Sequence, residues 1–100
     1  MANILTIMLS FLIDKTPYQI RQELAQKIRV LRKQKKYSQL ELAQRANVSL
    51  GSYKRFEKSG QISLEALLRI ALILDRLDEF EKLFIPNDMA EIEKLFRNAK

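Results

Sequence analysis

The chain of 100 residues contains no cysteine, no histidine and no tryptophan. Without cysteine there is no disulfide, no thiolate metal ligand and no thiol nucleophile. Without histidine the commonest metal ligand and general base are missing too, so no catalytic residue, metal or cofactor is expected. Only two glycines and two prolines punctuate the sequence, which argues against a turn-rich β fold and for an all-α one. Long apolar runs are also absent. Ile4–Ile13 is broken by Thr6 and Ser10 and falls short of the roughly 18 residues of a membrane span. No basic residue precedes it and no small-residue cleavage site follows, so it is not read as a secretory signal. The expectation is one small cytoplasmic domain with no membrane partner.

What is present is an apolar fraction of 47%, sufficient for a core, and a net charge of +6. The charge is unevenly spread. Residues 15–58 hold 12 Lys/Arg against 3 Asp/Glu, whereas residues 61–100 hold 6 against 8. A basic middle and a slightly acidic end read as a binding face beside a scaffold or partner face. A basic face without a partner would give the same composition.

Helix starts are legible. Thr16, Pro17 and Gln19 supply a cap, a first-turn proline and a reciprocal amide. Ile20, Leu24, Ile28 and Leu31 then recur at helical spacing, predicting a first helix over 17–35. Ser38 with Glu41 opens a second over 39–46, stopped by Asn47, which tolerates the left-handed conformation. Ser49 opens a third over 50–58, ended by Ser59-Gly60. Ser63 opens a fourth over 64–76, with Leu64, Leu67, Leu68, Ala71 and Leu74 inward. Asp78 with Glu81 opens a fifth carrying Phe80, Leu83 and Phe84. Asp88 with Glu91 opens a last one bearing Met89, Ile92 and Phe96. The chain divides into an apolar segment at 1–15, a domain at 16–85 and a helical tail at 86–100. Residues 1–15 fit strand and helix periods alike, and either complete the core or contact a second copy.

The second and third helices are short and separated by Asn47-Val48-Ser49, the length of a helix-turn-helix connection. Placing Tyr53 and Phe56 inward sends Gly51, Lys54, Arg55 and Lys58 outward. A basic helix of this kind suits the DNA major groove, where Arg and Lys donate to guanine O6 and N7. Gly51 on an exposed helical face suggests close approach of the backbone to DNA. Arg29, Arg32, Lys33, Lys35 and Lys36 cluster near the end of the first helix. There they both suit the helix dipole and offer phosphate contacts, for which Arg29, Lys35 and Lys36 are the candidates.

Ile20–Phe84, and above all SQLELAQRANVSLGSYKRFE at Ser38–Glu57, resembles the lambda-repressor/Cro-like (XRE) helix-turn-helix regulators. The resemblance implies a compact domain of five to six helices that binds double-stranded DNA and acts as a repressor. It places Gln39 and Ser49 at phosphate, and Leu50, Gly51, Lys54 and Arg55 at or beside base edges. Ser52 and Lys58 complete the expected DNA-facing set. It also implies a structural pair between Arg32 and Glu57. Two departures stand out. Asn47 replaces the usual turn glycine, and Leu50 and Gly51 offer no side-chain hydrogen bond, so direct readout rests on Arg55 and Lys54, with Leu50 suited to a thymine methyl.

Such readers work as two-fold dimers, and Ile70, Ile73, Leu77 and Phe80 are the expected dimer contacts. Residues Ser52–Phe84 further resemble HipB-like antitoxins, which accompany HipA-type kinase toxins. That implies autoregulation of a toxin–antitoxin operon, a HipA-like partner and a place on the nucleoid. The rival reading is a protein-interaction module whose basic face binds an acidic protein.

Overall fold

The computed structural model describes residues 4–5 and 15–98. Ile4 and Leu5 are helical and exposed; the rest of the apolar stretch at 6–14 lies outside the described residues. Six helices follow: α1 Pro17–Gln34, α2 Gln39–Arg45, α3 Leu50–Ser59, α4 Leu64–Ile73, α5 Leu77–Glu81 and α6 Met89–Asn98. No strand occurs among the described residues, and the fold is all-α as expected.

Four of these helices begin on the hydroxyl that precedes them. Thr16, Ser38, Ser49 and Ser63 accept from the amides of Gln19, Glu41, Ser52 and Ala66 at 3.0–3.2 Å. Gln19 closes a full capping box by accepting from the Thr16 amide at 2.9 Å. Glu41 instead turns to Arg45, one turn on. Helix ends follow a second rule. Lys36, Asn47 and Asp75 take positive φ of 61°, 55° and 60° immediately after α1, α2 and α4. Each is followed by an amide that reaches back to a carbonyl five residues earlier: Tyr37 to Arg32, Val48 to Ala43, Arg76 to Ala71. This left-handed closure satisfies carbonyls that a helix end leaves open.

The core lies between α1, α2, α3 and α4. Ala25 and Ile28 of α1 meet Leu42 and Ala43 of α2, Tyr53 and Phe56 of α3, and Leu67 and Ile70 of α4. Tyr53, Phe56, Leu42 and Ile70 are the largest side chains wholly withdrawn from solvent, each contributing about 1.5–3 kcal/mol by burial. Three long-range hydrogen bonds fix the helices against one another. Arg21 Nε and Gln22 Nε2 donate to the Ser59 carbonyl at the end of α3, and Arg69 Nε donates to the Ala46 carbonyl at the end of α2.

Several expectations are corrected here. The fourth helix stops at Ile73 rather than 76, because Leu74 caps it and Asp75 turns left-handed. Leu64, expected inward, is exposed, while Ala66 and Leu67 of the same first turn are buried, so the buried side of α4 starts two residues later. The fifth helix starts at Leu77 with no side-chain cap and ends at Glu81. Asp78 therefore sits inside its first turn, and Leu83 and Phe84 lie beyond its end, with Phe84 at φ 58°. Ile70 was expected at a dimer contact but is 0% exposed, so it belongs to this chain's own interior. Ile73 and Phe80 also pack against that core, half-buried. Asp88 does cap α6, accepting from the Ala90 amide at 2.9 Å. No described helix is long and apolar enough to cross a membrane.

Candidate nucleic-acid interface

The geometry starts from the underside of α3. Tyr53 and Phe56 are both fully buried, their ring centroids 6.2 Å apart and tilted by 53°. At 100° per residue this orientation sends Gly51, Lys54, Arg55 and Lys58 to the opposite side, and all four are exposed. Leu50 and Ser52 are half-buried beside them. The Ser49 hydroxyl accepts from the Ser52 amide and donates to the Ser52 hydroxyl at 2.8 Å. Ser49 and Ser52 thus close the first turn of α3 on itself. A Cβ built on Gly51 meets nothing within 4 Å, so no contact within the chain requires glycine there.

Beneath this face lies a four-residue polar network. Glu57 accepts from Arg32 Nε at 2.8 Å and Nη2 at 3.2 Å, from Gln39 Nε2 at 3.0 Å, and from the Tyr53 hydroxyl. Arg32 also donates through Nη1 to the Tyr37 carbonyl at 2.8 Å. The Arg32 and Glu57 side chains are only 9% and 6% exposed. Burial pushes the Glu57 carboxyl up, but the hydrogen bonds from Arg32, Tyr53 and Gln39 outweigh it, and the net shift is downward. The Glu57 hydrogen bond raises Arg32, and burial raises the Tyr53 hydroxyl above its ordinary range. Arg32 and Glu57 therefore stay charged and neutralise each other, which keeps a carboxylate on α3 from repelling an approaching phosphate. The pair is present as the family resemblance implied.

Two shallow depressions flank α3. One is lined by Arg29, Ser38, Gln39, Lys54 and Lys58 above the Arg32–Glu57 pair. It brings three cations to the N-terminus of α2, where backbone amides favour an anion. The other is lined by Ser52, Arg55, Gln61, Ile62 and Ser63, at the N-terminus of α4. Gln61 and Ser63 did not figure among the candidate residues. Ser63 was legible as a helix cap, but only folding shows that the α4 N-terminus lies beside Arg55. Lys35 and Lys36 line neither depression. Lys35 pairs with Asp75 at 2.7 Å, joining the ends of α1 and α4, and Lys36 closes α1 with its left-handed backbone. Both lysines are exposed at the end of α1, outside the two depressions, whereas Arg29 lines one of them.

Two short helices joined by the four residues 46–49, with the second seated on aromatics and offering a basic outer face, define a helix-turn-helix DNA reader. The family model described as Helix-turn-helix matches residues 28–80, just over half of the chain. The chain belongs to that family and is a DNA-binding regulator rather than an enzyme. No curated protein and no solved structure matches it.

Proposed function

We propose that the protein is a sequence-specific transcriptional repressor that binds its operator as a homodimer, with α3 in the major groove. The observation behind this reading is the exposure of Lys54 and Arg55 on a helix whose other side is fully packed. In it, Arg55 and Lys54 donate to base edges, Leu50 meets a thymine methyl, and Gly51 lets the backbone come close. Ser52 and Gln39 donate to phosphate, with Ser49 reaching it once its hydroxyl turns from Ser52, and Arg29 and Lys58 lie beside them. Gln39 uses one amide proton on Glu57 and retains its second. About six phosphates neutralised per dimer give a log–log salt slope of roughly −5.

Arg55→Ala tests the assignment by gel shift and footprinting on the protein's own promoter. Its loss costs about 1–3 kcal/mol in operator binding and relaxes specificity at one base pair. A uniform weakening on all sequences makes Arg55 a phosphate contact. No duplex shift at physiological salt, even for the unaltered protein, favours the rival in which the basic face binds an acidic protein.

The narrower role is that of a HipB-like antitoxin with a HipA-like kinase partner, and it rests on the resemblance of Ser52–Phe84. The acidic surface adds little support, since Asp75, Asp78 and Glu79 pair with Lys35, Lys82 and Arg76. Co-purification with the product of a neighbouring kinase-type gene tests it; free separation of the two proteins counts against it.

A further inference from the structure

The charged face of α3 uses much of the basic middle of the chain, whereas the apolar residues beyond α5 have no role in the core or on that face. Leu83, Phe84 and Ile85 are exposed, Phe84 at 95%. The next helix, α6, carries Met89, Ile92 and Phe96 at spacings of three and four, with Leu95 alongside. Met89, Leu95 and Phe96 are 69%, 66% and 77% exposed, and α6 makes no substantial packing with α1–α5. A ten-residue helix is shorter than the roughly 12–15 residues at which isolated helices become marginally stable in water. Its stability has to come from a surface that covers the stripe.

The charges on α6 say what that surface is. Asp88, Glu91 and Glu93 fall at its start and in its first half, Lys94 and Arg97 in its second; at 100° per residue Glu91 and Glu93 border the apolar stripe and Arg97 is the base nearer to it, while Lys94 lies on the opposite side. Two copies laid side by side in parallel would set acid against acid and base against base. Laid antiparallel, they set each acidic half against the other's basic half, with Met89 of one copy near Phe96 of the other. Opposite charges flanking an apolar seam fix helix orientation in this way in paired helices. We infer that α6 pairs antiparallel with α6 of a second copy of this chain through Met89, Ile92, Leu95 and Phe96. The dimer contact then lies past Ile85 and not on Ile70, which is spent on the core, nor on Ile73 and Phe80, which pack against it.

The inference is independent of DNA binding, and its test uses none. The full-length protein sediments at about twice its 11.8 kDa chain mass, and Ile92→Asp with Phe96→Asp halves that value. A wild-type monomer at micromolar concentration overturns the inference. A dimer that persists in the double variant also overturns it, since the contact then lies elsewhere. Orientation is read separately. The chain has no cysteine of its own, so Met89→Cys and Phe96→Cys copies can be mixed and oxidised cleanly. Disulfides join one variant to the other in the antiparallel pair, and crosslinks only between identical variants overturn it. This readout stands even where the aspartate variants fail to fold. A dimer that forms as described yet shifts no duplex would sink the DNA reading alone.

Discussion

On its inner side α3 buries Tyr53 and Phe56 and holds Glu57 in four hydrogen bonds. On its outer side the side chains of Lys54, Arg55 and Lys58 make no hydrogen bond or ion pair among the described residues. One helix of ten residues thus carries two faces under different constraints. The inner face is complete, so rigidity is set from within and needs no ligand. The outer face has its charges unspent, and their interactions are left to whatever docks there. A reading helix works best when its own position costs nothing at the moment of binding, and the inner face supplies that.

Removing the inner carboxylate is the largest disturbance to this arrangement. Glu57→Ala leaves the Arg32 guanidinium buried without its partner and strips an acceptor from Tyr53 and Gln39. Breaking a buried pair on one side costs about 3–5 kcal/mol, readable as a large fall in thermal midpoint. An unchanged midpoint would mean that the two faces do not differ as described. The pair also makes stability depend on pH. The Glu57 carboxyl lies below its ordinary value of 4.5 in the fold, so its contribution is complete above that pH. It drains away as pH falls through the lower folded value. Glu57→Gln should flatten this acid slope in a series of melts, and an unaltered slope would assign acid lability to other carboxylates.

This inner network shows where sequence reasoning reached and where it stopped. The helix starts were legible because Thr16, Ser38, Ser49 and Ser63 announce their caps by residue type. The turn at Asn47 was legible for a similar reason. The ends at Lys36 and Asp75 were not, because lysine in particular carries no marker of a left-handed backbone and tertiary packing imposes it. The basic outer face follows from helical periodicity with Tyr53 and Phe56 facing inward. Leu64 and Ile70 show the limit of that method. Both sit on the apolar α4, and only the positions of α1 and α2 decide that Ile70 is enclosed and Leu64 is not. Charge alone makes Lys35 a phosphate candidate, and nothing in the sequence indicates its ion pair with Asp75, 40 residues away. The isolation of α6 was likewise invisible, since an amphipathic pattern predicts a covered stripe without saying by what.

The chain's two glycines allow the same substitution to probe both faces, with opposite signs. Gly60 ends α3 at φ 76°, and a Cβ there would lie 2.3 Å from Arg21 Cγ and 2.7 Å from the Arg21 carbonyl oxygen. The side-chain atom can move, but the carbonyl belongs to the backbone of α1 and cannot. The left-handed conformation alone costs alanine about 1–2 kcal/mol, so Gly60→Ala should exceed that figure and loosen the Arg21 and Gln22 contacts to Ser59.

Gly51 is the smaller and sharper case. It is the second residue of α3, its φ is not positive, and its absent Cβ faces open space. Alanine is the better helix former, by at most about 1 kcal/mol in a helix interior and less near an end. Gly51→Ala should therefore raise the thermal midpoint slightly. If the outer face approaches DNA through its backbone, the same methyl must lower operator affinity. A glycine kept for folding would show lost stability; one of no consequence would leave affinity untouched. Gained stability with lost affinity is the combination that only a close-docking outer face produces, and a melt beside a gel shift on one variant is enough to look for it.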